Sequence, residues 1–296
     1  MALVLALVAA MSWGASDFVA GRAERVSPGL SVAVASQFAG LLAAIALLPL
    51  VEGDRGGAAL WAGAAGGIGS AIGLALLYHA LAVGRMSVTA PITGAVAAAI
   101  PVLYGLVTGE RPAVLALVGV VVALGAIVVL SATPPASARD LPAEGPLPPE
   151  SEASRRQGLL SQPGVAAALM SGVGFGAFFI FLGRTGDGAG LWPIFAAKLS
   201  AVALLGSVAL ATGRTVKPAP SARSSVAVVG LLDMAANVLF LLATRRGLLS
   251  LVALVTSLYP AVTVLLARAV LKERLTRVQV LSVATAGGGV ALIALG

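Results

Sequence analysis

Ten apolar stretches, each about twenty residues long, occupy most of this chain, and that length decides what it can fold into. A helix rises about 1.5 Å per residue and a bilayer's hydrocarbon core is about 30 Å thick, so a stretch of roughly 20 apolar residues spans it. The stretches fall at about 2–20, 29–51, 58–82, 86–108, 112–131, 164–182, 190–212, 225–243, 248–271 and 278–295. Short breaks rich in Pro, Gly and charge separate them, such as Glu52 to Gly57 and Gly109 to Pro112. Hydrophobic residues make up 59% of the chain and charged residues 10%, against about 25% charged in a soluble domain. A water-soluble core of this size has no room for so much apolar surface, so lipid is the solvent that fits. The expected fold is an all-α membrane protein with ten transmembrane helices. The first stretch has no Lys or Arg ahead of it and carries Asp17, so it reads as a retained helix and not as a secretory signal.

Net charge is +7, but the basic residues sit in gaps between apolar stretches and form no stripe with aromatics. They read as membrane-loop residues, and no nucleic-acid partner is expected. The chain has no cysteine and one histidine, His79, which excludes disulfides, thiolate metal sites and multi-histidine metal sites. No cofactor or metal is expected.

One break is unlike the others. Residues 132–163 hold Pro134, Pro135, Pro146, Pro148 and Pro149 among acids, arginines and small residues, a composition that cannot bury a core. They read as a flexible linker between two halves, 1–131 and 164–296. The halves repeat each other. A shift of 162 carries Gly14-Ala15 onto Gly176-Ala177, Gly21-Arg22 onto Gly183-Arg184, and Ser36 onto Lys198. A shift of 163 carries Ala80, Gly84, Ser87 and Ala90 onto Ala243, Gly247, Ser250 and Ala253, Glu110-Arg111 onto Glu273-Arg274, and Gly125 onto Gly288. Five spans per half is an odd number, so the second half must cross the membrane upside down relative to the first. Inverted repeats of this kind are a recurring plan of secondary transporters, with the substrate site between them near the midplane.

The order and duplication of these motifs resemble a known family. Ala80 to Gly84, Ser87, Ala90-Pro91, Gly109-Glu110-Arg111, Gly119 and Gly125 look like the second part of an EamA repeat of the drug/metabolite transporter superfamily. The pattern returns at Ala243, Gly247, Ser250, Ala253, Tyr259-Pro260, Lys272-Glu273-Arg274 and Gly287-Gly288. Trp13-Gly14-Ala15-Ser16 resembles the family's first-helix opening. The resemblance implies ten helices around a central cavity, a location in the cell membrane (the cytoplasmic membrane of a bacterium), and movement of amino acids, other metabolites or drugs, with export favoured. One departure is that Ala97 stands where the second half has Pro260, with Pro101 four residues later. Family members are usually drawn with both ends in the cytoplasm. That would put five Arg inside and twelve Arg and Lys outside or in the linker, opposite to the positive-inside rule.

Ionisable groups within spans are the candidate site residues. Each costs roughly 2.5–3.5 kcal/mol at a helix centre on insertion scales, so it needs a cavity or a partner. Asp17 lies one turn beyond Trp13 on the same face. It reads either as a cavity acid for a cation or proton, or as an interfacial residue turned toward Arg22. Lys198 lies mid-span, and its repeat mate Ser36 neighbours Gln37. Asp233 and Asn237 share a face, and Asp233 is the natural partner of Lys198. Thr256 and Tyr259 flank a helix bend at Pro260. The expected substrate-binding set is therefore Trp13, Asp17, Gln37, Lys198, Asp233, Asn237, Thr256 and Tyr259, with protons as a candidate coupling ion. His79, beside Tyr78, reads first as a helix-end residue. Glu110 and Glu273 read as turn caps or partners of Arg111 and Arg274. The glycine pairs Gly63/Gly67, Gly69/Gly73 and Gly172/Gly176 read as packing.

Two rivals are weighed. An intramembrane aspartyl protease needs Tyr-Asp and Gly-x-Gly-Asp, but Arg184 stands where the first glycine should precede Gly186-Asp187, and a rhomboid-type serine motif fails at Ala71 after Ser70. A channel or structural membrane protein is the second rival. Scattered midplane charges and inverted repeats favour a carrier. Composition leaves open whether it is a monomer or a homodimer.

Overall fold

A computed structural model describes residues 1–83, 86–132, 164–271 and 276–295. Most of the linker, Gly84, Arg85, Lys272, Glu273, Arg274 and the side chains of Tyr78 and Arg268 lie outside the described residues. Among those described, regular structure is entirely helical. The helices of the first half are α1 (Ala2–Ala23), α2 (Gly29–Leu47), α3 (Gly57–Val83), α4 (Met86–Val107) and α5 (Val114–Ala132). Those of the second half are α6 (Val165–Gly183), α7 (Trp192–Ala211), α8 (Arg223–Thr244), α9 (Leu249–Thr256), α10 (Tyr259–Leu271) and α11 (Arg277–Leu295). Seven described stretches have the length and apolar composition to cross a membrane, and shorter apolar helices cover Ile92–Val107, Val114–Ala126 and Leu249–Thr263.

The stretch expected as one helix over 248–271 is broken in two. Pro260 has no backbone N–H to return to the carbonyl of Thr256, which is where α9 stops. Hydroxyls turn back at the same place: Thr256 Oγ1 donates to the Val252 carbonyl at 2.8 Å and Ser257 Oγ to the Ala253 carbonyl at 2.7 Å. The matching helix α4 has Ala97 there and runs on unbroken. Helix α3 ends at Val83, one residue beyond the expected stretch, so Tyr78 and His79 lie in its last turns.

Helices pack mainly across the two halves. Helix α3 lies against α6 and α7, and correspondingly α8 lies against α1 and α2. Helix α4 packs on α6, and α9 and α10 pack on α1. Helices α2 and α7 meet each other, as do α5 and α11. Each of these cross-half contacts has a mate when the halves are exchanged.

Lipid gives helices no hydrophobic reason to associate, so close backbone approach and polar contacts must hold them. Small residues make that approach possible. A Cβ added to Gly14 would fall 2.5 Å from Val262 Cβ, and one added to its repeat mate Gly176 would fall 2.7 Å from Ile100 Cβ. Gly63 and Gly67 face the backbone of Pro193 and Ala197, and Gly69 and Gly174 face each other's backbones. Hydroxyls add glue: Ser171 Oγ donates to the Gly73 carbonyl at 2.6 Å, Thr93 Oγ1 to the Ala168 carbonyl at 3.0 Å, and Ser16 Oγ to the Val229 carbonyl at 3.1 Å.

Loops close one end of the bundle. The Asp54 N–H donates to the Gly188 carbonyl at 2.8 Å, and Arg245 Nη2 to the Gly190 carbonyl at 3.0 Å. Gly190 sits at φ +54 with Gly53 pressed against it, a position where a side chain would be both strained and crowded. Arg55 stacks over Trp192 with its guanidinium carbon 4.5 Å from the ring centre. The Glu110 carboxylate reaches across to the start of α9, accepting the N–H groups of Leu249 and Ser250 at 2.8 and 3.0 Å. It caps a helix of the other half, using the free donors and the positive end of the helix dipole.

Candidate functional site

A cavity of about 440 Å³ lies between the halves. Helix α1 contributes Trp13, Asp17 and Ala20 to its wall, and α2 contributes Ser36 and Gln37. Across it stand Phe175, Phe178 and Phe179 of α6, Lys198 of α7, Asp233 and Asn237 of α8, and Tyr259 of α10. Ser16 of α1, Ser70 of α3 and Thr93 of α4 add to the polar lining. The cavity runs along α1 toward Glu24, which is exposed and also lines it. Asp17 is exposed to the same space, so the cavity extends along α1 to the end that carries Glu24.

Its inner wall is a closed polar network. Lys198 is 6% exposed and forms an ion pair with Asp233, which is 16% exposed. Lys198 Nζ also donates to Gln37 Oε1 at 2.8 Å. Asp233 Oδ1 accepts Trp13 Nε1–H at 2.8 Å and Asn237 Nδ2–H at 3.2 Å. Asp233 Oδ2 takes Lys198 and, at 3.5 Å, the Gln37 amide. Asn237 Nδ2 also donates to the Asp233 carbonyl at 2.6 Å. Both carboxylate oxygens thus have two donors each. A buried ion pair repays its desolvation only when its remaining hydrogen-bonding capacity is met, and for the Asp233 carboxylate it is. The donors come from both halves: Trp13 and Gln37 from the first, Lys198 and Asn237 from the second.

Below the network lies an aromatic floor. Trp13 packs edge-on to Phe179 at 5.6 Å and to Phe178 at 6.4 Å between ring centres, and Phe240 lies 5.0 Å from Phe179. Such tilted pairs suit ring quadrupoles and hold the indole where its N–H meets Asp233. Phe181, on the same helix, points outward and is exposed.

Of the residues singled out by sequence, the cavity gathers Trp13, Asp17, Gln37, Lys198, Asp233, Asn237 and Tyr259. Thr256 is fully buried and outside the lining, its hydroxyl turned back on its own helix. His79 is exposed on α3 and is not part of the lining. Ser16, Ser70, Thr93, Phe175, Phe178, Phe179 and Glu24 line the cavity without having been among the chosen site residues. For Glu24 a signal existed: it lies seven residues after Asp17, on the same helical face. No group of three or more metal-ligating residues gathers among the described residues.

A family model described as the EamA-like transporter family matches residues 1–132 and again 162–295. No curated protein matches the chain. A protein of known crystal structure superposes with a TM-score of 0.72 at 20% identity, covering 99% of this chain and 96% of its own. At that identity the likeness speaks for the fold.

Proposed function

This chain belongs to the EamA-like transporter family, and we propose that it is a secondary carrier of a small metabolite, exported across the cell membrane of a bacterium by alternating access between two inverted five-helix repeats. Ten spans are supported by the seven long apolar stretches together with the three shorter ones, with α9 and α10 read as one broken crossing. Inversion is supported by the odd number of spans per half and by the exchangeable pairing of helices.

The observation that carries the reading is the Lys198–Asp233 pair at the seam between the halves. Its donors are divided between them, so rocking one half against the other must break or re-form Trp13–Asp233 and Lys198–Gln37. A network that is satisfied in one arrangement and rebuilt in another is a two-state element that substrate or a proton can bias. A passive channel has no need of such a device.

The test is counterflow in proteoliposomes loaded with a metabolite panel. Saturable exchange that accelerates with substrate on the far side supports a carrier, whereas flux linear in concentration supports a channel. Lys198→Ala and Asp233→Asn should abolish exchange with membrane insertion intact, and normal exchange in both variants overturns the reading.

A further inference from the structure

We propose that the occupant of this cavity is an organic cation with a compact aromatic or apolar body, its charged nitrogen held at Asp17 and its body against Trp13 and the phenylalanines of α6. The proposal rests on the carrier reading for what happens after binding, but the recognition argument is separate from it.

Charge availability decides the sign. The lining holds one basic side chain, Lys198, and three carboxylates, Asp17, Glu24 and Asp233. Lys198 is already paired with Asp233 and bonded to Gln37. A ligand carboxylate brought to Lys198 would lie against the Asp233 carboxylate that already holds it. Asp233 is equally unavailable to a ligand ammonium, because four donors already occupy its two oxygens. Asp17 is different. Among the described residues it makes no hydrogen bond or ion pair, it lines the cavity, and it is exposed there. The one group in the lining that offers a ligand an unpartnered ionisable side chain is therefore an acid.

The walls agree with the charge. Trp13 is one turn from Asp17 on the same face of α1, and Phe175, Phe178, Phe179 and Tyr259 stand around the same space. Aromatic faces attract cations through the ring quadrupole and also bury an apolar body. A cavity of about 440 Å³ is within the range of roughly 300–1,000 Å³ usual for small-ligand pockets. An anion would meet the carboxylates of Asp17 and Asp233, and a zwitterion would bring a carboxylate whose one cationic partner in the lining is already paired with Asp233.

Four probes with nearly the same body isolate the charge: phenethylammonium, phenylethanol, phenylacetate and phenylalanine. Binding to the purified full chain in detergent is read by calorimetry, and transport by counterflow. Phenethylammonium should bind at least tenfold tighter than each of the others. Asp17→Asn should remove that preference, and Asp17→Glu should retain most of it. The proposal is overturned by equal binding of all four probes, by tighter binding of phenylacetate or phenylalanine, by no binding of any, or by an unchanged preference in correctly folded Asp17→Asn. Cation binding without counterflow would leave the recognition standing and sink the carrier reading. Counterflow restricted to phenylalanine would do the reverse.

Discussion

Trp13 Nε1 donates to Asp233 Oδ1 at 2.8 Å, joining the first helix of one half to the third helix of the other across a sequence separation of 220 residues. The indole does two jobs here: its ring packs on Phe179 and its N–H satisfies a buried carboxylate. Trp13→Phe separates them. A phenyl ring retains much of the packing but leaves Asp233 short of one donor, and losing a hydrogen bond to a charged group costs about 1.5–3 kcal/mol. Thermal unfolding in detergent should shift down accordingly, and counterflow should slow by about tenfold. A Trp13→Phe protein with unchanged stability and rate would show that this bond carries nothing.

Lys198 and Asp233 should behave as a unit. Removing one partner strands a buried charge and costs about 3–5 kcal/mol, whereas replacing both can be nearly neutral. Lys198→Met and Asp233→Asn should each destabilise strongly, and the double variant should recover most of the loss. Counterflow should stay absent in all three. A double variant no more stable than the worse single variant would mean that the two charges are not coupled.

The Lys198–Asp233 partnership was legible because two opposite charges lay deep in apolar spans, where cost alone demands a partner. Trp13 was legible as a cavity residue, but its spacing pointed to Asp17; its hydrogen bond goes instead to a helix no local pattern identifies. Glu110 reads from sequence as part of its own turn, yet it caps α9, since a donor-rich helix start is brought to it by tertiary packing. The break in the stretch 248–271 was written in Pro260, but the fate of Thr256 was not. A hydroxyl near a broken helix is free either to line the cavity or to satisfy a carbonyl of its own turn, and here it bonds the Val252 carbonyl.

Glu110→Gln keeps the size of the cap and removes its charge. One carboxamide oxygen can still accept, but the second α9 N–H loses its anionic partner. The expected cost is about 0.5–2 kcal/mol, the range for helix caps, and Glu110→Ala should lie at or above the top of it. Thermal unfolding of both variants against the parent checks this ordering.

Two glycines in α1 should respond oppositely to the same substitution. Gly14→Ala drives a methyl to 2.5 Å from Val262 Cβ and 2.7 Å from the Tyr259 carbonyl oxygen, and the backbone oxygen cannot swing aside. Overpacking of this kind costs about 1–3 kcal/mol. Gly21→Ala meets nothing within 4 Å and gains helix propensity, so it should be neutral or stabilising by up to about 1 kcal/mol. Gly176→Ala, the repeat mate of Gly14→Ala, should fail in the same way against Ile100. Equal behaviour of Gly14→Ala and Gly21→Ala would remove the packing argument.

Inversion of the halves has a direct test, because the chain has no cysteine of its own and any introduced thiol is unique. Arg25 follows α1 and Asp187 follows α6, at equivalent places one repeat apart, and both are exposed. If five spans precede the second half, these equivalent residues must face opposite sides of the membrane; parallel repeats would put them on the same side. Arg25→Cys and Asp187→Cys should therefore react with a membrane-impermeant maleimide from opposite sides, one in intact cells and the other only in inverted vesicles. The identity of the outward-reacting residue also fixes the orientation. If it is Asp187→Cys, the end closed by Gly53, Gly190 and Arg245 faces outward, the basic loops at the other end face the cytoplasm as the positive-inside rule requires, and the cavity opens inward. If it is Arg25→Cys, the cavity opens outward and the charge bias is overridden. Labelling of both residues from the same side would eliminate the inverted five-plus-five plan and, with it, the symmetric rocking that the proposed transport mechanism requires.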